Sequence, residues 1–366
     1  MAFSKYHDMF EPVIDTVKLT ESMFPLGDHS TLLKSWHLDN SFFLNETFKP
    51  KKKQVGKILD LVTDAYAMFL KEALNPVWKK MSIEERKAIV TELKSRPQVE
   101  QRSDLWYLQF SKVITASEFS TLFSSGKKRS DFVLSKTKPP EERSNRVACP
   151  TEELNPFGWG IRFEPVVKQI LEYKDHCKVY ELGRITHKTN PMLAASPDGI
   201  IEESYTPEQV GRLIEIKCPY SRKIGGEVPF DYWVQMQIQM EVTNVDECEY
   251  MEAEILSTKP KQEEVDLSGC HIHGVVYLIK QDVKEDEPFQ YKYVYGDICV
   301  KKSYTAPEGW ILLESIPWGL KRWHRKVVQR DRSWYESTKI YQDAFWADVE
   351  TAKKTPVLTK CLIVDD

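Results

Sequence analysis

The chain has 366 residues, 41% of them hydrophobic and 11% aromatic, so it can bury a substantial core and is not disordered throughout. Its 51 Lys and Arg against 55 Asp and Glu give a net charge of −4, so any phosphate binding must come from locally concentrated charge. Seven widely spaced cysteines favour a reducing intracellular compartment, cytoplasmic or nuclear. The longest apolar stretches, such as Gly274–Ile279, are far too short to span a membrane, and Met1–Phe10 lacks the pattern of a secretory signal.

The first part of the chain is predicted to be a helical extension covering residues 1–100. Apolar residues recur at helical spacing over Val55–Leu74. Ser82 and Glu85 then form a capping-box pattern at the start of a second helix, Ile83–Leu93.

The next segment carries a concentration of positive charge. Leu105–Phe123 is predicted to form helix, turn and helix, followed by a polar, basic stretch, Ser124–Pro150. We interpret this stretch as a loop, and two readings stay open: a solvated surface loop, or a loop that contacts phosphates.

The middle of the chain predicts an α/β core in which a mixed sheet is flanked by helices. Helices are expected at Gly160–Tyr173 and Tyr232–Val242, and strands at Val179–His187, Leu193–Ile201, Arg212–Cys218, Glu249–Leu256, Gly274–Ile279 and Gln290–Tyr295. Helices Trp318–Gln329 and Trp334–Thr351 are expected to follow. This pattern divides the chain into the extension, a core over residues 101–300, and a helical region over residues 301–366 packed on that core.

Two short motifs in this core place carboxylates and a lysine at one point. Glu215 and Lys217 share a face of their strand, because strand side chains alternate. Asp198 lies between Pro197 and Gly199, which bend the preceding strand. Such a set fits Mg²⁺, which binds one or two carboxylates together with water and phosphate oxygens, and the carbonyl of Ile216 is a further candidate ligand. Lys217 would then act on the attacking water or stabilise charge on the phosphate.

In their order, these motifs and their neighbours resemble the lambda-type (YqaJ-like) exonucleases of the PD-(D/E)xK nuclease superfamily. The resemblance covers about residues 105–255. With long segments on both sides of this region, the chain as a whole is more similar to enzymes of large DNA viruses or mobile elements. The matching blocks are Val113–Glu118, Trp159–Glu164, Ser196–Gly199, Glu215–Pro219 and Gln235–Gln237.

The resemblance implies a restriction-endonuclease-like fold and Mg²⁺-dependent degradation of one strand of linear duplex DNA from its 5′ end, for recombination, repair or genome-end processing. Mn²⁺ is the alternative ion. It implies that Glu164, Asp198 and Glu215 are metal ligands and that Lys217 is the catalytic lysine. Expected partners are double-stranded DNA with a free end, a single-strand annealing protein and a second copy of the chain.

The resemblance also implies a pocket for a terminal 5′ phosphate, lined by the hydroxyl groups of Thr115, Ser117 and Ser196. The family arginine expected just before the Thr-Ala-Ser block is missing here. Lys112, Arg162 or Arg222 must then supply the charge. The further candidates for DNA contact are Lys223, Gln235 and Gln237; the two glutamines are two residues apart and cannot both point to the site from one helix face.

Three alternatives stay open at this stage. The alternatives to an exonuclease are an endonuclease, an RNA-degrading variant and an inactive nuclease-derived DNA-binding module. The intact acid–acid–lysine set argues against the module.

The basic, aromatic segment from Trp318 to Arg332 either packs its tryptophans on the core or faces DNA. We do not expect zinc at Cys270–His273, because strand alternation separates Cys270 from the two histidines.

Overall fold

The structure is a computed structural model, and it describes residues 81–100, 103–137, 154–258, 265–283, 289–300 and 303–354. The helix predicted over Val55–Leu74 lies outside the described residues. The chain divides into two compact units, one of residues 80–330 with 341–366 and one of residues 1–79 with 331–340. Among the described residues, no helix is long and apolar enough to cross a bilayer.

Helices account for much of the described chain. They are α1 (Ile83–Ser95), α2 (Asp104–Leu108), α3 (Gly126–Thr137), α4 (Pro156–Asp175), α5 (Phe230–Thr243), α6 (Arg332–Ser337) and α7 (Lys339–Lys354). The predicted capping box of α1 is confirmed: Ser82 Oγ accepts from the Glu85 N–H at 3.1 Å, and Glu85 Oε2 accepts from the Ser82 N–H at 2.7 Å. The single helical turn α6 is capped by Asp331, whose carboxylate accepts from the Trp334 N–H at 3.0 Å.

Ten strands are described. They are β1 (Ile114–Thr115), β2 (Cys177–Tyr180), β3 (Ile185–Thr186), β4 (Leu193–Ala195), β5 (Gly199–Ser204), β6 (Leu213–Lys217), β7 (Glu247–Ser257), β8 (His273–Gln281), β9 (Tyr291–Tyr295) and β10 (Trp310–Gln329). They form a small sheet, β1-β4-β3, and a seven-stranded sheet, β2-β5-β6-β7-β10-β8-β9.

The large sheet is mixed, as the sequence predicts. Strands β6 and β7 run parallel, joined by helix α5, and the other neighbouring pairs run antiparallel. Helix α4 packs its buried apolar residues, among them Phe163, Val167 and Ile170, into the same core as Ile214 and Met251 of the central strands. The chain is therefore a mixed α/β protein with helices against its sheet.

Five predicted elements differ from the structure. Two of them are the predicted strands Val179–His187 and Leu193–Ile201, each of which is divided into two strands, β2 with β3 and β4 with β5. Trp318–Gln329 is not a helix but the second half of the long strand β10, which pairs with β7. A register shift between Leu320 and Arg322 breaks the alternation of that strand, so its aromatic and basic residues imitate a helical period. Part of the predicted basic loop is helix α3, which buries Phe132, Val133 and Lys136. Leu105–Phe123 has one short helix, 3-10 turns and strand β1 in place of two helices.

Candidate active site

The sheet opens at Asp198. Strand β5 pairs with β6 only where Gly199 faces Ile214 and Ile200 faces Leu213. One residue earlier, Asp198 Oδ2 accepts a hydrogen bond of 2.6 Å from the N–H of Ile216. A carboxylate therefore takes the place of a neighbouring strand at the end of β6, which keeps Asp198 beside the last two residues of that strand.

Strand β6 brings Glu215 and Lys217 together beside Asp198. Their side chains form a short ion pair between Glu215 Oε1 and Lys217 Nζ. Glu215 is 1% exposed, whereas the lysine side chain is 21% exposed. The predicted common face of these two residues is present, with the Glu215 side chain buried and the Lys217 side chain partly exposed.

Helix α5 covers this pair with one polar face. The Tyr232 ring lies 4.6 Å from Lys217 Nζ, and Gln235 Oε1 accepts from Nζ at 3.4 Å. Gln239 Nε2 donates to Glu215 Oε2 at 2.7 Å. Residues 232, 235 and 239 are three and four positions apart, so they follow one another on the same side of the helix.

The sequence does not single out Gln239, and Gln237, two residues earlier, was predicted to contact DNA at the site. Gln237 is buried, and its amide donates to the backbone carbonyl of Gln329 on β10 at 2.8 Å. The fully buried Gln239 holds the carboxylate. The signal was available, because Gln239 is four residues after Gln235 and Gln237 is only two.

The electrostatics of the site show an excess of negative charge. Burial, Glu215 and Glu164 together raise the pKa of Asp198 well above its usual range, against the opposing effect of Lys217. Burial alone would lower the pKa of Lys217, but the carboxylates of Glu215 and Asp198 have the larger, opposite effect, and the pKa is raised above its usual value. Glu164 acts on the site from helix α4. Three carboxylates thus act around one lysine.

This charge imbalance fits a divalent cation. Within the described part of the chain, no three His, Cys, Asp or Glu side chains are gathered closely enough to hold a metal on their own. Mg²⁺ does not require such a cluster, since one or two carboxylates with waters and phosphate oxygens suffice. The Ile216 N–H points to Asp198, and the carbonyl of a strand residue points to the same side as its N–H, so that carbonyl adds an oxygen there.

The three hydroxyl groups of the expected phosphate pocket lie on neighbouring segments. Strand β1 pairs in parallel with β4, with Thr115 facing Ala194, and Ser117 and Ser196 each follow two residues later. The Thr115 hydroxyl lies 3.3 Å from that of Ser117. Ser117 is exposed and Ser196 half-buried.

A carboxylate already holds the first of these hydroxyls. Glu118 Oε2 accepts from Thr115 Oγ1 at 2.6 Å and from the Thr115 N–H at 3.0 Å. Lys136, fully buried, donates to both oxygens of Glu118 at 2.9 and 3.1 Å. The hydroxyl hydrogen of Thr115 is thus used within the protein. The hydrogen of the 3.3 Å contact between the two hydroxyls therefore comes from the exposed Ser117, which would have to leave Thr115 to donate to a phosphate.

The expected phosphate-binding cations differ in how they are held. Arg222 Nη2 pairs with the buried Glu252 at 2.5 Å. The buried Arg162 donates from Nε to the Tyr293 hydroxyl at 3.1 Å, and its Nη2 has no hydrogen-bond partner among the described residues. Lys112 and Lys223 are exposed. The structure therefore commits Arg222 to an internal carboxylate and leaves one donor of Arg162 unused.

Comparison with known families finds a match over the segment that contains the candidate site residues. Residues 105–246 match the family model of the YqaJ-like viral recombinase domain. This match includes every candidate site residue named above, from Lys112 to Gln239.

Two viral proteins are similar to this chain in sequence. One is "Uncharacterized protein R354" of Acanthamoeba polyphaga mimivirus, 30% identical over 174 residues, which are 44% of this chain and 31% of that protein. The other is a protein of African swine fever virus, 28% identical over 170 residues, which are 39% of this chain and 46% of that protein. The match thus spans less than half the length of each of these relatives.

Two solved structures are similar in part. An alkaline exonuclease from Laribacter hongkongensis matches with a TM-score of 0.39 and 16% identity, over 69% of this chain and 94% of that one. A phage-related exonuclease from Haemophilus somnus matches with a TM-score of 0.36 and 12% identity, over 66% and 94% of the two chains.

Proposed function

Because residues 105–246 match the YqaJ-like viral recombinase domain, we propose that this chain is a metal-dependent deoxyribonuclease that degrades one strand of linear duplex DNA in the 5′ to 3′ direction. The observation that carries the proposal is the group of Asp198, Glu215 and Lys217 at the opening of the large sheet, with its surplus of carboxylates. Processing of DNA ends for viral recombination, repair or replication is the role that fits such an activity.

The cofactor in this proposal is Mg²⁺, with Mn²⁺ as the alternative. Asp198, Glu215 and the Ile216 carbonyl would hold it, with Glu164 completing the site. Bound there, such ions would stabilise the charge that develops on the attacked phosphate and on the leaving oxygen.

Lys217 is assigned to the reacting groups themselves. Its side chain is partly exposed beside the carboxylates, and its ammonium group is assigned to a phosphate oxygen or to the attacking water. Its raised pKa keeps it protonated at neutral pH, which favours a role in orienting water or stabilising phosphate charge over a role as a base.

Gln239 and Gln235 are positioning residues in this proposal. Gln239 donates to one oxygen of Glu215 and Lys217 contacts the other, so the carboxylate is held from both sides. Gln235 restrains the lysine ammonium in turn. Groups that orient metal ligands commonly contribute a factor of about 10–100 to metal affinity or activity.

Preference for a free end is assigned to the hydroxyl groups of Ser117 and Ser196. A terminal phosphate carries close to two negative charges and needs a cation as well as hydroxyl donors. Arg162 is the better candidate for that charge, because one of its buried donors lacks a partner among the described residues, whereas Arg222 is paired with Glu252. The proposal keeps Lys112 as the exposed alternative.

The proposed setting is the cytoplasm or nucleus of a cell that contains viral DNA. A single-strand annealing protein is the expected protein partner, because strand degradation supplies the single strand that such a protein binds. A second copy of the chain is the other candidate.

The test is a set of labelled substrates incubated with purified protein and Mg²⁺ or EDTA. We expect linear duplex to be degraded only with the metal, faster with a 5′ phosphate than with a 5′ hydroxyl, with label at the 5′ end released first. Closed circles and RNA should persist. Cleavage of closed circles would make the protein an endonuclease, degradation of RNA would change its substrate class, and binding without cleavage would make it a DNA-binding module.

A further inference from the structure

The loop between β6 and α5, residues 218–229, is held to strand β7 by a buried carboxylate, that of Glu252. Glu252 Oε1 accepts from Arg222 Nη2 at 2.5 Å and from the Tyr250 hydroxyl at 2.7 Å. Its Oε2 accepts from the Gly225 N–H at 2.8 Å. Arg222 and Gly225 belong to the loop, so Glu252 fixes the loop at two points.

Glu252 lies beside the proposed catalytic lysine. Strands β6 and β7 pair in parallel with Lys217 opposite Glu252, so the two side chains leave the same face of the sheet. The centre of the Tyr232 ring lies 4.6 Å from Lys217 Nζ, 5.9 Å from Arg222 Cζ and 5.9 Å from the centre of the Tyr250 ring. The guanidinium group that Glu252 holds therefore shares a contact, the Tyr232 ring, with the lysine of the proposed mechanism.

The loop backbone and the charge of Glu252 both suit this contact. Gly225 has a φ of 102°, in the region that favours glycine, and this turn presents its N–H to Glu252. Burial opposes ionisation of Glu252, but the Gly225 N–H, the Tyr250 hydroxyl and Arg222 outweigh it and lower the pKa of the carboxyl. Glu252 is thus a charged carboxylate satisfied by donors of the protein, which separates it from Asp198 and the other carboxylates assigned to the metal.

Arg222 is anchored to a buried partner but remains accessible. Its side chain is 42% exposed. Its contacts with Glu252, Tyr250 and the Lys223 carbonyl account for three of the five N–H donors of a guanidinium group. A guanidinium group that is already fixed by a carboxylate can present its remaining donors to a phosphate with little further loss of side-chain freedom.

A backbone phosphate of DNA is the group that fits these donors. A phosphodiester within a strand carries one negative charge, whereas a terminal phosphate carries close to two and needs a cation that is not already shared. We infer that Glu252 is a positioning residue that holds Arg222 against a backbone phosphate of the DNA strand beside Lys217, an inference that rests on the proposed nuclease function.

Removal of the Glu252 charge separates this role from simple electrostatics. Glu252→Gln takes away a negative charge, so by charge alone it should strengthen DNA binding. If Glu252 anchors Arg222, the same change should weaken binding of linear duplex about tenfold, the loss expected for one charged hydrogen bond, and should lower the salt dependence by about one phosphate contact. Arg222→Ala should have the same effects, and the double variant should bind no more weakly than Arg222→Ala alone.

Fluorescence anisotropy in EDTA over a series of salt concentrations measures the affinities, and steady-state degradation with Mg²⁺ measures KM and kcat. KM should rise with the loss of affinity while kcat stays within about twofold of the wild-type value, because Arg222 is assigned to binding and not to the reacting atoms. Glu254→Gln is the matched control. It removes a carboxylate two residues further along the same face of β7, where it pairs with Lys321 and Arg322, and should bind DNA as the wild-type protein does.

Four results would overturn the inference. They are an unchanged affinity of Arg222→Ala, an unchanged or raised affinity of Glu252→Gln, losses that multiply in the double variant, and a fall in the kcat of Glu252→Gln with KM unchanged. Melting temperatures report the folding of each variant. If Glu252→Gln does not fold, Tyr250→Phe takes its place, because it removes one donor that orients Glu252 and should lower the affinity only when Arg222 is present.

The wild-type protein separates this inference from the proposed function. If it degrades DNA while the variants bind normally, only the role of Glu252 fails. If it binds DNA without degrading it, the proposed function fails and the affinities still decide the role of Glu252. If it neither binds nor degrades DNA, both fail.

Discussion

Two groups of charged side chains lie at opposite ends of strand β6 and differ in their charge balance. At its C-terminal end, Asp198, Glu215 and Glu164 act around the single cation Lys217. At its N-terminal end is a group that we call the balanced cluster. It contains three carboxylates and three guanidinium groups, those of Asp175, Glu247, Glu249, Arg86, Arg212 and Arg325.

In the balanced cluster, each carboxylate has an arginine partner. Arg325 contacts Asp175 at 2.6 Å and Glu249 at 2.5 Å, and Arg212 contacts Glu247 at 3.1 Å. Burial opposes ionisation of Asp175 and Glu247, but their arginine and glutamine partners nevertheless lower the pKa of both carboxyls. This cluster is complete without a ligand and has the character of a structural network.

At the C-terminal end of β6, by contrast, the carboxylates are not balanced by cations of the protein. The pKa of Asp198 is raised, because burial and two neighbouring carboxylates outweigh Lys217. A group of charges that costs folding energy is retained where a bound cation offsets it, which is the usual pattern of a functional site. Variants at the two ends should therefore differ in whether activity or stability changes.

The largest expected effect follows Lys217→Ala. Removal of a group that acts on the reacting atoms should lower the rate of DNA hydrolysis by about a hundredfold or more, with DNA binding largely intact. Initial rates on labelled linear duplex measure this, with Lys178→Ala as the control, since Lys178 is also paired with a carboxylate but is exposed on β2. A Lys217→Ala protein with near-normal turnover would remove this lysine from the proposed mechanism.

The reciprocal change is Arg325→Ala in the balanced cluster. It leaves the mostly buried Glu249 and Asp175 without their shared partner, which should lower the free energy of unfolding by about 3 kcal/mol. Urea titration monitors the loss, and Arg322→Ala, which breaks an exposed pair with Glu254, should cost less than about 1 kcal/mol. Equal stability of the two variants would show that the balanced cluster does not support the fold.

A smaller effect is expected from Gln239→Met, which keeps the side-chain volume and removes the donor to Glu215. Metal affinity and kcat/KM should fall about tenfold, because the carboxylate loses one of the two groups that orient it. Gln237→Met is the matched comparison in the same helix. If Gln237→Met costs more activity than Gln239→Met, the assignment of the two glutamines is reversed.

The smallest expected effect is an increase in stability. Asp198→Asn removes the destabilised charge while its amide oxygen still accepts from the Ile216 N–H, so the free energy of unfolding should rise by about 1 kcal/mol. Thermal unfolding without metal measures this. A clear loss of stability would mean that the charge of Asp198 supports the fold, as the charges of the balanced cluster do.

The contrast between the two ends also separates what the sequence predicts from what it does not. Glu215, Lys217 and Asp198 follow from strand alternation and from a Pro-Asp-Gly bend, both of which are local rules. The pairing of Arg325 with Asp175 and Glu249 depends on the long-range register of β10 against β7, and no local rule gives it.

Strand β10 shows why local patterns fail there. A strand with neighbours on both sides and a bulge between Leu320 and Arg322 has no regular period, and its alternating tryptophan and basic residues satisfy a helical template equally well. Helix α3 was not predicted because it has few apolar residues and therefore shows little helical periodicity. It depends instead on long-range contacts such as the stacking of Phe132 on Phe345, with ring centres 4.6 Å apart.

Magnesium binding by calorimetry tests the central claim most directly, because the claim is that unbalanced carboxylates hold the catalytic metal. The wild-type protein should bind Mg²⁺, and Asp198→Asn and Glu215→Gln should each lose most of that affinity, with little rescue by Mn²⁺, since hard cations discriminate on ligand charge. Glu254→Gln, at a partly exposed carboxylate paired with Lys321 and Arg322, should bind as the wild-type protein does. Unchanged affinity in Asp198→Asn and Glu215→Gln would show that these carboxylates are not the ligands.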